Sequence, residues 1–162
     1  MAATITVIKT YGAPAGSEAT VTTPGLIASD DNADPVDSKL IVPSVNPVYS
    51  YECWLRFKCT VAPDNTCENF KIWSSGASVG TGLTITVNSD AVAVYAQPVN
   101  TESAQGTRVD FSTKDSGDKI SVAGDLVDPD DKTDFSVFQM KVENTAGAGN
   151  KTYTVYYSYD ES

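Results

Sequence analysis

At 162 residues, 41% apolar and 20% charged, the chain is long enough to bury a core, and its recurring apolar and aromatic residues exclude general disorder. Its net charge of −10, from 11 basic and 21 acidic residues, argues against a general nucleic-acid surface and against binding to anionic lipid. There is no histidine, which removes the commonest general base and the commonest metal ligand. Thr and the aromatics suit pleated strands, while Gly, Asn, Asp and Ser suit the turns between them, so the composition predicts an all-β domain.

The first residues, Met1-Ala2-Ala3-Thr4-Ile5-Thr6-Val7, show no charged region followed by an apolar one. No signal peptide is expected, and no apolar run is long enough to span a bilayer. Synthesis in a cytoplasm is therefore expected. Residues 3–9 alternate like a first strand. Between Gly12 and Pro47 the character changes: the stretch holds five of the eight prolines and the acidic run from Ser29 to Asp37. Short strand candidates occur at Ala19–Thr22 and Lys39–Val42, but proline confines them to edges or loops. Residues 12–47 read as an extended arm or a set of long loops.

Within that arm, Asp30-x-Asn32-x-Asp34 opens like a calcium-binding loop, in which alternate residues aim oxygens at one ion. Pro35 stands where such a loop needs Gly, and Ile41 where it needs Glu. Asp128-Pro129-Asp130-Asp131 is a second oxygen-rich turn. Asp30, Asn32, Asp34, Asp128 and Asp130 are thus candidate metal ligands, set against the simpler reading of solvated acidic turns.

Val48–Val61 alternates cleanly, with Tyr49, Tyr51, Cys53, Leu55, Phe57, Cys59 and Val61 on one face. The turn Ala62–Thr66 and the segment Glu68–Trp73 follow. The two segments are expected to pair as a hairpin, with Phe57 opposite Phe70, Leu55 opposite Ile72 and Trp54 opposite Trp73. That register puts Cys67 on the face away from Cys59. Cys53 and Cys59, six positions apart on one strand, are separated by roughly 20 Å at about 3.3 Å per residue. All three cysteines are expected to be reduced.

A second hairpin pairs Leu83–Val87 with Val92–Ala96, so that Val87 meets Val92 and Ile85 meets Val94. Weaker strand signals lie near Arg108–Ser112 and Lys119–Ala123. A last hairpin pairs Asp134–Glu143 with Lys151–Tyr159, bringing Phe138, Met140 and Val142 toward Tyr157, Val155 and Tyr153. This gives roughly eight to ten strands and no convincing helix. An antiparallel β-sandwich or jelly roll is expected, one domain over residues 1–162.

Catalysis has little to work with. The cysteines lack an imidazole partner, no Gly-x-Ser-x-Gly elbow or phosphate-binding loop occurs, and the acidic residues are too scattered to nominate a pair. No enzyme activity and no cofactor are expected. The more distinctive group is the outer face of the first hairpin, where the register gathers Trp54, Arg56, Lys58, Lys71 and Trp73. Aromatic and Arg side chains anchor interfaces, and a positive patch suits an acidic neighbour. The same rings would also suit a sugar, or the Lys and Arg stems simply cover them.

Three segments carry a resemblance. They are Tyr51-x-x-Trp54-Leu55-Arg56-Phe57-Lys58 with Asn69–Trp73; Pro98-Val99-Asn100-Thr101-x-Ser103-Ala104; and Asp134-Phe135-x-Val137-x-Gln139-x-Lys141-Val142 with the closing Tyr157-Ser158-Tyr159-Asp160-Glu161. Together they resemble small β-sandwich virion accessory proteins of tailed bacteriophages, of the capsid-decoration or tail-accessory kind. The resemblance spans most of residues 48–161 and leaves out the proline-rich arm. It implies a structural virion protein assembled in the host cytoplasm, without catalytic residues. Its partners would be further copies of itself and other virion proteins such as the major capsid protein. A phage tail component and a carbohydrate-binding or adhesin module are the alternatives.

Overall fold

The computed structural model describes residues 2–21, 40–149 and 151–162. Asp30, Asn32 and Asp34, with the rest of the acidic run, lie outside the described residues. Among those described are ten strands: β1 (Thr4–Tyr11), β2 (Ser17–Thr20), β3 (Val48–Tyr49), β4 (Cys53–Val61), β5 (Cys67–Trp73), β6 (Leu83–Asn88), β7 (Arg108–Asp110), β8 (Ile120–Ser121), β9 (Ser136–Val142) and β10 (Tyr156–Glu161). They form two antiparallel sheets, the expected all-β sandwich. The larger has the order β2-β1-β4-β9-β6-β7, with β3 beside β9; the smaller has the order β10-β5-β8.

Alternation explains the inner faces. Cys53, Leu55, Phe57 and Cys59 of β4 meet Cys67, Phe70 and Ile72 of β5 in one buried cluster with Ile85, Val87, Phe111, Ile120, Leu126 and Phe138. The rings of Phe57 and Phe70 stack at 5.0 Å, and Phe70 stacks in turn on Tyr159 at 5.4 Å. Such aromatic pairs add about 0.5–1.5 kcal/mol each beyond the area they bury.

The hairpins expected between neighbouring segments are replaced by crossings. β4 pairs with β1 and β9, while β5 pairs with β10 and β8, so the turn after β4 carries the chain to the opposite sheet. Phe57 and Phe70 are therefore partners across the core and not along a ladder. The same correction applies to the other two hairpins. β6 pairs with β7 and β9, and Val92–Ala96 is not a strand. β9 lies in the larger sheet and β10 in the smaller. Both arrangements point the same side chains inward, which is why the expected contacts survive while the expected ladders do not.

The long strand Val48–Val61 is also broken. Val48 and Tyr49 pair with Val142 and Lys141, but Cys53 pairs with Phe138, so β3–β4 carries one more residue than β9 over this interval. Ser50 fills the irregularity by donating its N–H to Met140 O at 2.8 Å and accepting from Met140 N on Oγ at 2.9 Å. The extra residue switches parity, as a bulge must. Tyr49 consequently lies beside Lys141 on the outer face and not with Cys53 in the core. In β5, Asn69 takes a left-handed φ of 55° where the β5–β10 ladder slips.

All three cysteines are buried and in the reduced, thiol form. Burial pushes the Cys59 and Cys67 thiols up from their ordinary value. Cys67, expected on the face away from Cys59, shares the core with it.

Candidate functional site

The five side chains expected on one basic aromatic face are divided between two. Trp54, Arg56 and Lys58 belong to β4 in the larger sheet; Lys71 and Trp73 belong to β5 in the smaller. The two outer faces differ in almost every respect.

On the larger sheet Trp54 is completely buried, in a second cluster with Phe135 and Val137 that is closed by Val92, Tyr95 and Ala96. Its ring meets Tyr95 at 5.1 Å and Phe135 at 5.2 Å, both edge-on, and its Nε1 donates to Glu52 Oε2 at 3.1 Å. Tyr95 in turn donates its hydroxyl to Gly12 O at 2.7 Å. Gly16 completes the seal, since a Cβ there would lie 2.4 Å from Thr10 Cγ2 and 2.9 Å from Tyr95.

The loop over this cluster is pinned by Gln139, which is 2% exposed. Its Nε2 donates to the carbonyls of Ser50 at 3.0 Å, Val99 at 3.3 Å and Thr101 at 2.7 Å, and its Oε1 accepts from Ser103 N at 2.9 Å. Arg108 donates to Val137 O at 2.6 Å and Thr86 O at 3.0 Å. Burial lowers its pKa to about 10, partly opposed by the charge of Glu52. Burial also pushes the Tyr95 phenol up to about 12, with Glu52 adding to the effect. These polar groups tie loop to sheet, while Glu52 Oε1 and Arg108 Nε are buried without a hydrogen-bond partner among the described residues.

The cations of this face are neutralised. Arg56 pairs with Glu18 and lies 4.4 Å from the centroid of Phe135; Lys132 reaches the same carboxylate at 2.8 Å. Partial burial raises the Glu18 pKa, but hydrogen bonds and charge from Lys132 and Arg56 outweigh it, so the carboxyl sits below its ordinary value. Lys58 pairs with Asp130 at 2.6 Å, a contact that raises the lysine and lowers the aspartate.

The turn Asp128–Asp131 thereby finds its role. Asp130 takes a φ of 74° and faces Lys58, while Asp131 accepts from Val127 N at 2.9 Å and Asp128 N at 2.8 Å. Among the described residues no group of three or more His, Cys, Asp or Glu is placed to hold a metal ion.

The smaller sheet presents a different surface. Trp73 lies nearly parallel to its ladder partner Tyr156, at 5.8 Å and 18°, and Lys119 Nζ stands 4.1 Å from the indole centroid. Because β10 and β8 flank β5 on opposite sides, tyrosine and lysine approach the indole from opposite flanks. Lys71 donates to Ser121 Oγ at 2.7 Å, and Asn69 Nδ2 to Asp160 Oδ2 at 3.1 Å. Tyr156 is 44% exposed and Tyr157 47%. Among the described residues nothing covers this face as Val92–Ala96 covers the other.

Sequence reasoning did not find the Gln139–Arg108–Glu52 group or the partners Tyr156 and Lys119. Gln139, set between the apolar residues Val137, Phe138 and Met140, was the available signal for the first. An open groove of about 360 Å³ runs along Pro47, Val48, Tyr49 and Asn100–Glu102. Within it the Tyr49 phenol hydrogen-bonds Glu102, and burial together with that carboxylate raises its pKa. No helix among the described residues is long and apolar enough to cross a membrane. Compared with known proteins, the chain matches no family model, no curated protein and no solved structure.

Proposed function

We propose that the protein is a structural, self-associating component of a tailed-phage particle, a capsid-decoration protein in the first instance and a tail component in the second. Its contact surface is the outer face of the smaller sheet. The observation that carries this reading is the contrast between the two outer faces. One Trp is sealed under a loop with its neighbouring cations paired, whereas Trp73, Tyr156, Lys71 and Lys119 form a solvent-facing row. Aromatic side chains combined with cations are favoured anchors in protein interfaces. A chain of net charge −10 is repelled by its own copies unless contact is made where local charge is low or positive.

The absence of histidine, the commonest general base, supports a non-catalytic role. A sugar platform is the less favoured use of the same rings, because Tyr156 and Lys119 already approach the indole from both flanks, where a pyranose would stack.

Sedimentation velocity across a concentration series tests the reading. The parent chain is expected to associate and Trp73→Ala to associate more weakly with unchanged circular dichroism. A parent chain that remains monomeric, with tryptophan fluorescence that shifts on adding a glycan, supports the binding-module reading instead. Electron microscopy of particles from the source, labelled with an antibody to this chain, tests the particle assignment.

A further inference from the structure

Immediately before β3 runs Leu40-Ile41-Val42-Pro43-Ser44-Val45-Asn46-Pro47, eight residues without a charge in a chain of net charge −10. Ile41 is 75% exposed, Val42 36% and Val45 73%. No backbone group from residue 40 to residue 46 has a hydrogen-bonded partner among the described residues. Isolated exposed apolar residues need no explanation, but three within five positions, on backbone lacking hydrogen-bonded partners, form a surface that asks for a neighbour.

The molecule carries a matching surface elsewhere. β10 is an edge strand of the smaller sheet, with no second ladder neighbour among the described residues. Tyr156 and Tyr157 project to opposite faces of that edge and are both about half exposed. From Thr152 to Tyr159 the sequence is also uncharged, and the side chains beside it on the outer face, Lys71 and Lys119, are positive. An edge of unpaired N–H and C=O groups accepts an extended segment readily, and aromatic rings on either face give it something to grip. Residues 40–47 are uncharged and the β10 stretch is flanked by lysines, so the two can meet between copies without adding to the repulsion of two acidic chains.

We propose that residues 40–45 of one copy dock against the β10 edge and the Trp73–Tyr156 row of a second copy. This deepens the assembly reading and rests on it. The exposed segment then supplies apolar side chains, and the edge strand supplies the backbone partners that residues 40–45 lack among the described residues.

The test uses the full chain in two variants, Val45→Cys and Ser158→Cys, one enlarged by a fusion so that a mixed disulfide is resolved by size. Cys53, Cys59 and Cys67 are buried and common to both. Mixing under mild oxidation is expected to give a Val45→Cys/Ser158→Cys cross-link between different copies. It should stand well above the yield of a control mixture of Val45→Cys with Val94→Cys, whose site is 78% exposed on the loop over the larger sheet. Ile41→Asp in the parent chain is expected to weaken association in sedimentation. If the chain associates but the two mixtures cross-link equally, the docking of residues 40–45 is overturned and the assembly reading stands. If the parent chain does not associate at all, both fall.

Discussion

Trp54 and Trp73 occupy equivalent places, each pointing outward from a central strand of its sheet, and they meet opposite fates. Around Trp54 the chain adds a third layer: residues 91–96 close over the indole, Glu52 takes its N–H, and Glu18 and Asp130 pair the adjacent cations. Around Trp73 the neighbours are side by side and not above, so the ring row faces solvent. The difference teaches that an outward aromatic residue on a strand has two uses, as a second core or as a contact surface. What decides between them is whether a loop elsewhere in the chain is long and apolar enough to cover it.

The sharpest way to break this comparison is to truncate both rings. Trp54→Ala should destabilise the fold by about 3–5 kcal/mol, as truncation of a fully packed Trp does. Trp73→Ala should cost under about 1.5 kcal/mol, the scale of aromatic contact energies at a partly exposed site. Chemical denaturation of the two variants measures both; equal losses would erase the distinction.

A smaller effect sharpens the account of the cover. Gln139→Leu keeps the volume but strands the Ser103 N–H and three carbonyls, and should cost about 1–3 kcal/mol. Hydrogen exchange should then quicken at Ser103 and across residues 97–105 while β5 and β10 keep their protection. If β5 and β10 lose protection equally, the loop is not a separable layer.

The smallest effect is electrostatic. The Glu18 carboxyl is held below its ordinary value of 4.5 by Lys132 and Arg56, so its contribution is present above that value. It is lost as pH falls through the lower folded value. Stability of the parent should therefore drop more steeply below about pH 4.5 than that of Glu18→Gln, when denaturation midpoints are followed down the acid limb. Parallel acid limbs would mean the pair with Arg56 and Lys132 contributes nothing, as many exposed ion pairs do.

These comparisons also mark how much was legible from residue order. The period-two pattern in Val48–Val61, Glu68–Trp73, Leu83–Val87 and Asp134–Glu143 assigned the inward faces of β4, β5, β6 and most of β9. It carries only parity, however. A residue pointing inward looks the same whether its partner lies beside it on a ladder or across the core, so Phe57 and Phe70 were matched correctly and connected wrongly. The bulge at Ser50–Glu52 left no mark beyond a Ser and a Glu, which fitted the polar side of a continuous strand, and it turned Tyr49 outward. In β5 the pattern missed Cys67, which the irregularity at Asn69 turns into the core. Val92–Ala96 alternates like a strand in sequence, but Val92, Tyr95 and Ala96 pack on the Trp54 cluster while Val94 is 78% exposed, so the pattern marks a covering loop and not a ladder. The candidate face failed for the same reason: Lys71 and Trp73 were grouped with Trp54, Arg56 and Lys58 through a hairpin that the chain does not make. Tyr156 lies far from Trp73 in sequence, so nothing short of the β5–β10 ladder could bring it in.

The most direct test of the central contrast is hydrogen exchange of the parent chain at low and high protein concentration. The account predicts that protection gained on concentrating falls on Lys71–Trp73, Tyr156–Ser158 and residues 40–46, with Cys53–Lys58 and residues 91–107 unchanged. Concentration-dependent protection on the loop over Trp54, or none anywhere, would contradict it.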